Sequence, residues 1–160
     1  MMHFQGDQTI KAPRERVWEF LTDPRFATTC APGLERLEVL DDRRFRAVGK
    51  VPVGPIKGAF IVEAVWLERE APERARVRAR GKVPGHSVEI EIRLVLSASG
   101  PTATAVHWEA DMKLKGLLAL TGGRGFQTAA NAAADAFFSC VKANLKASAF
   151  TETEQAPVPP

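Results

Sequence analysis

The residue types that most often carry out chemistry in proteins are few in this chain and widely spaced. The three histidines, His3, His86 and His107, lie far apart, and the two cysteines, Cys30 and Cys140, match no metal-ligand or redox spacing. No nucleophile elbow, phosphate-binding loop or Cys/His cluster occurs. The sequence therefore predicts no catalytic residue and no metal site.

The acidic residues close to His107 do not form an inward-facing acid–base pair with it. Glu109 and Asp111 share its face of a predicted strand, and all three side chains are expected to point into solvent. Asp135 lies among alanines in a predicted helix and is assigned to the wetter side of that helix. A general base must reach a substrate proton, and none of these residues is placed to do so.

Length and composition predict one soluble domain. The chain has 160 residues, of which 45% are hydrophobic and 26% charged, and this is enough to build a core without disulfides. The N-terminus lacks the basic and apolar regions of a signal peptide, and no apolar run approaches the ~18 residues of a membrane span. Cys30 and Cys140 are accordingly predicted to be reduced thiols of a cytoplasmic protein.

The period of the apolar residues changes twice along the chain. A first strand at residues 3–10 is followed by two short helices, which begin at Pro13 and at Asp23-Pro24. Helical periodicity returns at residues 124–146, and residues 149–160 are polar and proline-rich, which predicts a disordered tail after one domain of residues 1–148. Between these helical segments the period is two, which predicts six strands at residues 34–40, 45–51, 59–67, 75–82, 87–96 and 102–114.

The order of these elements predicts an α+β helix-grip fold. Short connections make consecutive strands antiparallel neighbours. The sheet and the C-terminal helix each have one apolar face to bury, so the helix is expected to lie in the concave face of a curved, seven-stranded antiparallel sheet. Two short helices follow the first strand.

Side-chain sizes predict a hollow between the sheet and the helix. Small residues recur on the helix and on the fifth strand, whereas Trp and Phe occur elsewhere on the inward faces. An apolar cavity is the expected ligand site in such a fold; the alternative is that large side chains fill the space and the alanines only allow close packing. The predicted cavity residues are Phe60, Val62, Trp66, Ala79, Ile90, Ile92, Trp108, Met112, Ala130, Ala133 and Phe137.

Five basic residues alternate along the fifth strand, from Arg74 to Lys82. Glu63 on the fourth strand and Glu89 and Glu91 on the sixth are predicted to pair with them, because antiparallel neighbours place outward side chains opposite one another. We interpret the stripe as a solvated ladder of ion pairs. It is not interpreted as a nucleic-acid-binding surface, since no recognition-helix pattern or aromatic–basic interleaving accompanies it.

One end of the sheet is predicted to carry an apolar tip inside a basic collar. The connections at residues 49–58, 81–86 and 112–124 contain no acidic residue and have apolar residues where polar ones are usual. They are predicted to dock on an anionic membrane, where each lysine contributes on the order of 1 kcal/mol, or on an acidic partner, and to gate the hollow. The alternative is that Leu117, Leu118 and Leu120 begin the long helix. The predicted rim residues are Lys50, Val53, Pro55, Ile56, Lys57, Lys82, Val83, Pro84, Lys115, Leu117, Leu118 and Arg124.

Short motifs are distributed over residues 2–147. They are Phe4-x-Gly6, Ala12-Pro13-Arg14-Glu15-x-Val17-Trp18, Asp23-Pro24, Cys30-x-Pro32-Gly33, Val53-Gly54-Pro55-x-Lys57-Gly58-x-Phe60, and Gly122-x-Arg124 leading to Ala134-Asp135-x-Phe137-Phe138. Together they resemble the family of the CoxG subunit of carbon monoxide dehydrogenase, within the START-like (SRPBCC) superfamily. The resemblance implies an accessory protein that helps a molybdenum hydroxylase associate with the inner face of the cytoplasmic membrane, with a lipid or quinone in the hollow and no catalytic residue.

Three functions are compatible with these patterns. The first is a non-catalytic protein that binds a hydrophobic ligand, with no cofactor other than a bound quinone or lipid. The second is an enzyme of the cyclase or hydratase kind, which needs a buried ionisable group in the hollow. The third is an interaction module with a filled core. A monomer and a dimer both fit the sequence, and the exposed edge of the second or third strand is the candidate dimer contact.

Overall fold

The computed structural model describes residues 2–31, 33–50, 59–83, 85–116 and 124–155. Within these ranges one seven-stranded antiparallel sheet is combined with short helices after the first strand and a long helix at the C-terminus. The predicted helix-grip fold is therefore confirmed. The elements are β1 (Met2–Ile10), α1 (Arg14–Thr22), α2 (Pro24–Ala27), a 3-10 helix (Thr28–Cys30), β2 (Leu34–Val39), β3 (Arg44–Lys50), β4 (Ala59–Glu70), β5 (Arg74–Val83), β6 (His86–Ala98), β7 (Thr104–Gly116) and α3 (Arg124–Gln155).

The strands lie in the order β1-β7-β6-β5-β4-β3-β2, so the first strand pairs with the last one. The sheet edges are β1 and β2, and β3 is an inner strand. Residues directly opposite each other in an antiparallel pair point to the same face. One such set, called the central row below, crosses five strands and consists of Trp66, Val77, Ile92, Ala110 and Phe4.

The two short helices begin where the sequence predicts. Pro13 is the N-terminal cap of α1, at a position where its missing N–H costs no hydrogen bond. Asp23 caps α2, because its side chain accepts a hydrogen bond of 2.9 Å from the backbone N–H of Arg25, and Pro24 follows as the first helical residue. Helix α1 contacts β6, and α2 contacts β2.

The main core lies between α3, α1 and the β6–β7–β1 side of the sheet. Val141 on α3 and Val17 on α1 are fully buried there, and Phe138 and Leu145 of α3 are also buried. Thr104 is the buried polar residue at this place, and its hydroxyl donates a 2.7 Å hydrogen bond to the carbonyl oxygen of Ala12. Since a buried hydroxyl is costly only when it lacks a partner, Thr104 is compatible with the apolar core.

Helix α3 is longer than predicted. It continues to Gln155, through seven residues that the sequence analysis assigns to a disordered tail. The segment 151–155 consists of Thr, Glu and Gln, and a helix that has already formed extends at little cost through residues of fair propensity such as Glu and Gln. Polarity alone therefore did not mark the helix end, and residues 156–160 lie outside the described residues.

The basic stripe on β5 forms the predicted ladder of ion pairs. Arg78 lies 3.6 Å from Glu91, and Arg80 lies 3.6 Å from Glu89, both across the β5–β6 pair. Glu63 differs from the prediction in its partner, because it pairs with Arg46 on β3 at 3.2 Å. Exposed pairs of this kind contribute at most about 1 kcal/mol each, so the main effect of the ladder is to balance the charge of the outer face.

Gly6 allows β1 to lie against the indole ring of Trp108. A methyl group added at this position is therefore expected to have a large effect on stability. A Cβ at position 6 would lie 2.8 Å from Nε1 of Trp108, whose ring also stacks on Phe138 at a centroid distance of 6.2 Å. Because the indole is held from the other side, Gly6→Ala is expected to lower the free energy of unfolding by about 1–3 kcal/mol, as overpacking usually does. Urea denaturation measures this change.

Gly81→Ala is the matched control for Gly6→Ala. Within the part of the chain that the structure describes, a Cβ at position 81 would meet only Cγ2 of Val62, at an ordinary contact distance of 3.5 Å. The control is expected to be neutral or slightly stabilising, because alanine reduces the freedom of the unfolded chain. Equal urea midpoints for the two variants would contradict the tight Gly6–Trp108 contact.

Candidate functional site

A cavity of about 360 Å³ lies between the concave face of the sheet, helix α3 and the two short helices. The central row contributes all five of its residues to the wall. The other lining residues are Leu21, Pro24, Ala27, Thr28, Phe45, Ile90, Leu94, Trp108, Met112, Ala130, Ala133, Ala134, Phe137 and Phe138.

The wall of this cavity is chemically uniform. It carries no ionisable side chain, and Thr28 is its one hydroxyl residue among the described residues. That hydroxyl is already engaged as a donor to the carbonyl oxygen of Pro24. The Nε1 group of Trp108 is buried, has no hydrogen-bond partner among the described residues and lies against Gly6. Such a wall recognises a ligand by shape and burial of apolar surface.

Small side chains on two elements create the empty space. Ala130, Ala133 and Ala134 line the cavity from α3, and Ala110 lines it from β7. Larger residues of the same helix, Phe137 and Phe138, close it on the side of the core. The cavity volume falls in the range of about 300–1,000 Å³ that is usual for small-molecule sites.

A second pocket, called the charged recess below, adjoins the cavity and has a volume of about 210 Å³. Pro24, Phe45 and Trp66 line both spaces, so the cavity and the charged recess share part of their walls. The further lining residues of the charged recess are Asp23, Arg25, Val39, Asp41, Asp42, Arg43, Arg44 and Arg69.

Two carboxylates of the charged recess have arginine partners of their own. Asp23 pairs with Arg25 at 2.9 Å, and the side-chain hydrogen bond from Arg25 lowers the pKa of Asp23. Asp41 pairs with Arg44 at 2.8 Å, and the hydrogen bond from the backbone N–H of Arg43 is the main cause that lowers the pKa of Asp41. Both carboxylates are therefore ionised at neutral pH and already paired.

A comparison of the whole sequence with models of protein families agrees with the motifs and the fold. The family model for the CoxG subunit of carbon monoxide dehydrogenase matches residues 6–146. This chain belongs to the CoxG family. A comparison with curated proteins gave no significant match. CoxG membership and the apolar cavity together indicate a role in binding a hydrophobic ligand.

Solved structures of other proteins share the fold of this CoxG protein. A conserved protein from Geobacillus kaustophilus aligns with a TM-score of 0.86 at 20% identity, over 92% of this chain and 97% of that one. A START superfamily protein from Mycobacterium smegmatis aligns at 0.72 and 11% identity, over 90% and 97%. The Zhui aromatase/cyclase from a Streptomyces species aligns at 0.68 and 15% identity, over 91% and 93%. The fold is thus shared by proteins that include an enzyme.

The structure brings most of the residues predicted for the cavity together around it. Phe60, Val62 and Ala79 are the exceptions, because they are half-buried in the part of the sheet that lies nearer the predicted rim. The predicted residues that line the cavity of this CoxG protein are Trp66, Ile90, Ile92, Trp108, Met112, Ala130, Ala133 and Phe137.

Several cavity residues were missed by the sequence analysis for two different reasons. Phe45 lies directly opposite Ala64, an inward-facing residue of β4, so the strand pairing itself could have identified Phe45. Leu21, Pro24 and Thr28 come from the short helices, and no periodicity in a short helix indicates which part of a sheet it covers. The cavity is consequently shifted toward the short helices and away from the predicted rim.

Most of the predicted rim lies outside the described residues, namely Val53, Pro55, Ile56, Lys57, Pro84, Leu117 and Leu118. Val83 ends β5 and Arg124 begins α3. Lys50, Lys82 and Lys115 are exposed, but Lys50 lies 4.0 Å from Glu35 and Lys115 lies 3.6 Å from Glu89. Two cations of the predicted basic collar therefore have carboxylate neighbours on adjacent strands, and membrane docking stays a prediction.

On β1 and β7 the titratable side chains lie on the face opposite the cavity. His107 has a side-chain exposure of 41% and contacts Asp7 at 2.8 Å, which confirms its assignment to the surface. His3 contacts Asp111 at 2.7 Å, and this hydrogen bond is the main cause that lowers the pKa of Asp111. Asp135 is exposed on α3. No cluster of three His, Cys, Asp or Glu side chains suited to a metal occurs among the residues described.

The prediction of reduced cysteines was wrong. Cys30 of the 3-10 helix and Cys140 of α3 form a disulfide with a Cα–Cα distance of 5.5 Å, and Asn144 donates a 2.9 Å hydrogen bond to the carbonyl oxygen of Cys140. The two cysteines are 110 residues apart in the chain, and nothing in the sequence showed that the 3-10 helix packs against α3. The bridge fixes Thr28, a cavity residue, next to the helix on the other side of the cavity.

In the part of the chain that the structure describes, no helix combines the length and the apolarity that crossing a membrane requires.

Proposed function

We propose that this protein binds one lipid- or quinone-like molecule in its cavity and carries it without transforming it. The observation that supports this most directly is the wall of the cavity, which is apolar on every side and carries no ionisable residue in the described chain. Burial contributes about 25 cal/mol per Å² of apolar surface, so such a site favours a hydrophobic molecule. The volume of about 360 Å³ argues against a purely structural module with a filled core.

The same wall argues against an enzyme of the cyclase or hydratase kind. Such an enzyme needs a general acid or base within hydrogen-bonding distance of its substrate. The histidines of the described sheet face, His3 and His107, lie on the outer surface with Asp111 and Asp7. The likeness to an aromatase/cyclase concerns the fold, at 15% identity, and does not supply the missing group.

The setting that we propose for this carrier follows from the family. As a CoxG protein it would assist a molybdenum hydroxylase at the inner face of the cytoplasmic membrane, as a peripheral protein. The exposed Lys50, Lys82 and Lys115, together with the apolar connections next to them in the sequence, support contact with an anionic surface. The ligand would then pass between the bilayer, this cavity and the enzyme.

Solvent extraction of protein purified from its native host, followed by mass spectrometry, tests the carrier function. We expect a lipid or an isoprenoid quinone in roughly stoichiometric amount. An empty extract, from a protein that also takes up no added quinone or lipid, would reject the carrier in favour of an adaptor that acts through its surface.

Tryptophan fluorescence tests uptake directly. Trp66 and Trp108 line the cavity, whereas the third tryptophan, Trp18, does not. In the variant Trp18→Phe both remaining indoles report on the cavity, and decylubiquinone is expected to quench them in a saturable way. Co-sedimentation with anionic liposomes at low salt tests the membrane contact separately, and an absence of binding there would remove only that part of the proposal.

A further inference from the structure

The charged recess places positive charge at the end of an apolar cavity. The two spaces together match an amphiphile, which has one apolar end and one charged end. Four arginines and three aspartates line it, which leaves one net positive charge. Arg25 and Arg44 are neutralised by Asp23 and Asp41. The net positive charge is therefore carried by Arg43 and Arg69, and Asp42 is the remaining carboxylate.

Arg43 and Arg69 bind backbone oxygens and form no ion pair with a carboxylate of the described residues. Nη2 of Arg43 donates to the carbonyl oxygen of Trp66 at 3.2 Å, and Nη2 of Arg69 donates to the carbonyl oxygen of Asp42 at 2.7 Å. A guanidinium group has five N–H donors, and one of them is used in each case. Both groups retain donors and charge for an anionic oxygen, which arginine binds well and often in a bidentate way.

Trp66 connects these charges with the cavity. Its ring belongs to the cavity wall and is buried, and the guanidinium carbon of Arg69 lies 5.6 Å from the centre of that ring. Arg43 is bonded to the backbone of the same residue. A molecule whose apolar chain fills the cavity and passes Pro24 and Phe45 would therefore bring its other end beside both guanidinium groups.

We infer that the preferred ligand is an amphiphile with one anionic head, of the carboxylate class, whose head lies in the charged recess between Arg43 and Arg69. This inference rests on the proposed carrier function and specifies its ligand. It also gives the cavity a direction, because the head lies at the end of the sheet formed by the β2–β3 and β4–β5 connections and the chain points toward α3. A neutral quinone would use the same cavity without the ionic contribution.

Calorimetric titration at pH 7.5 with decanoate and with 1-decanol, which share a ten-carbon chain, tests the inference. Decanoate is expected to bind at least about tenfold more tightly than the alcohol, because hydrogen bonds to charged groups are stronger than neutral ones. The double variant Arg43→Gln/Arg69→Gln is expected to lose about ten- to a hundredfold in affinity for decanoate and to leave 1-decanol unchanged. Arg80→Gln, on the outer face beside Glu89, is the control and should bind like the wild type.

The outcomes separate the inference from the function on which it rests. Equal binding of decanoate and 1-decanol by the wild type, or unchanged decanoate binding by the double variant, would overturn the anionic head while the carrier stands. If neither compound binds and decylubiquinone does not quench the indoles, both the inference and the proposed function are rejected. Circular dichroism and the urea midpoint show whether the double variant is folded, and Arg43→Lys/Arg69→Lys, which keeps the charge, should retain most of the preference for decanoate.

Discussion

Replacing Ala133 with phenylalanine is expected to weaken the binding of decylubiquinone by about ten- to a hundredfold. Ala133 lines the cavity from α3, and the new ring would occupy space that the ligand needs. A ligand that still enters must force the surrounding side chains apart, which costs about 1–3 kcal/mol, and each 1.4 kcal/mol corresponds to a factor of ten in the dissociation constant. Quenching of Trp66 and Trp108 measures the change.

Ala132→Phe provides the matched control for this prediction. Ala132 is exposed on the same helix, one residue away from Ala133. The control variant is expected to bind decylubiquinone like the wild type. The thermal midpoint of Ala133→Phe should be equal or higher, since filling an existing cavity commonly stabilises a protein. A loss of binding in both variants, or undiminished binding in Ala133→Phe, would place the ligand elsewhere.

Reduction of the disulfide is expected to lower the free energy of unfolding by about 3–5 kcal/mol. The bridge between Cys30 and Cys140 spans 110 residues, and in the chain-entropy model a loop of this length contributes close to 5 kcal/mol at 25 °C. Denaturant titrations with and without a reductant measure the difference. For a domain of this size the loss would amount to a substantial share of the total stability.

The double variant Cys30→Ala/Cys140→Ala separates the bridge from other effects of the reductant. Its stability is expected to equal that of the reduced wild type, apart from the small cost of trimming two sulfur atoms, and to be insensitive to reductant. Identical unfolding curves for the wild type under both conditions would show that the bridge does not form or does not constrain the unfolded chain.

The sheet could be predicted because its signal is local. Alternation with a period of two assigned inward faces to Trp66, Ile92 and Trp108, and the structure places all three in the cavity wall. Pro13 and Asp23 marked helix starts through backbone chemistry that acts within a few residues. Each of these assignments depends only on neighbours in the sequence, so the sequence pattern directly reflects the physical cause of the structure.

The parts that could not be predicted depend on how distant elements pack. The covering of the cavity by Pro24 and Thr28 follows from the docking of short helices, which have too few turns to show a buried face. The pairing of Cys30 with Cys140 depends on the same docking, as does the shift of the cavity away from Phe60 and Val62. The charged recess was missed because its charged residues come from connections, strand ends and the start of α2, where no periodicity applies.

The bridge between Cys30 and Cys140 also determines how the molecule would respond to a pulling force. Strands β2 to β7 all lie between the two cysteines in the chain, so they belong to a closed covalent ring. Tension applied at the two ends of the protein would pass from one sulfur atom to the other and bypass those six strands. Only the segments outside the ring would extend, beginning with β1 as it peels from β7. The wall residues carried by β3 to β7 would stay together under loads that straighten the ends.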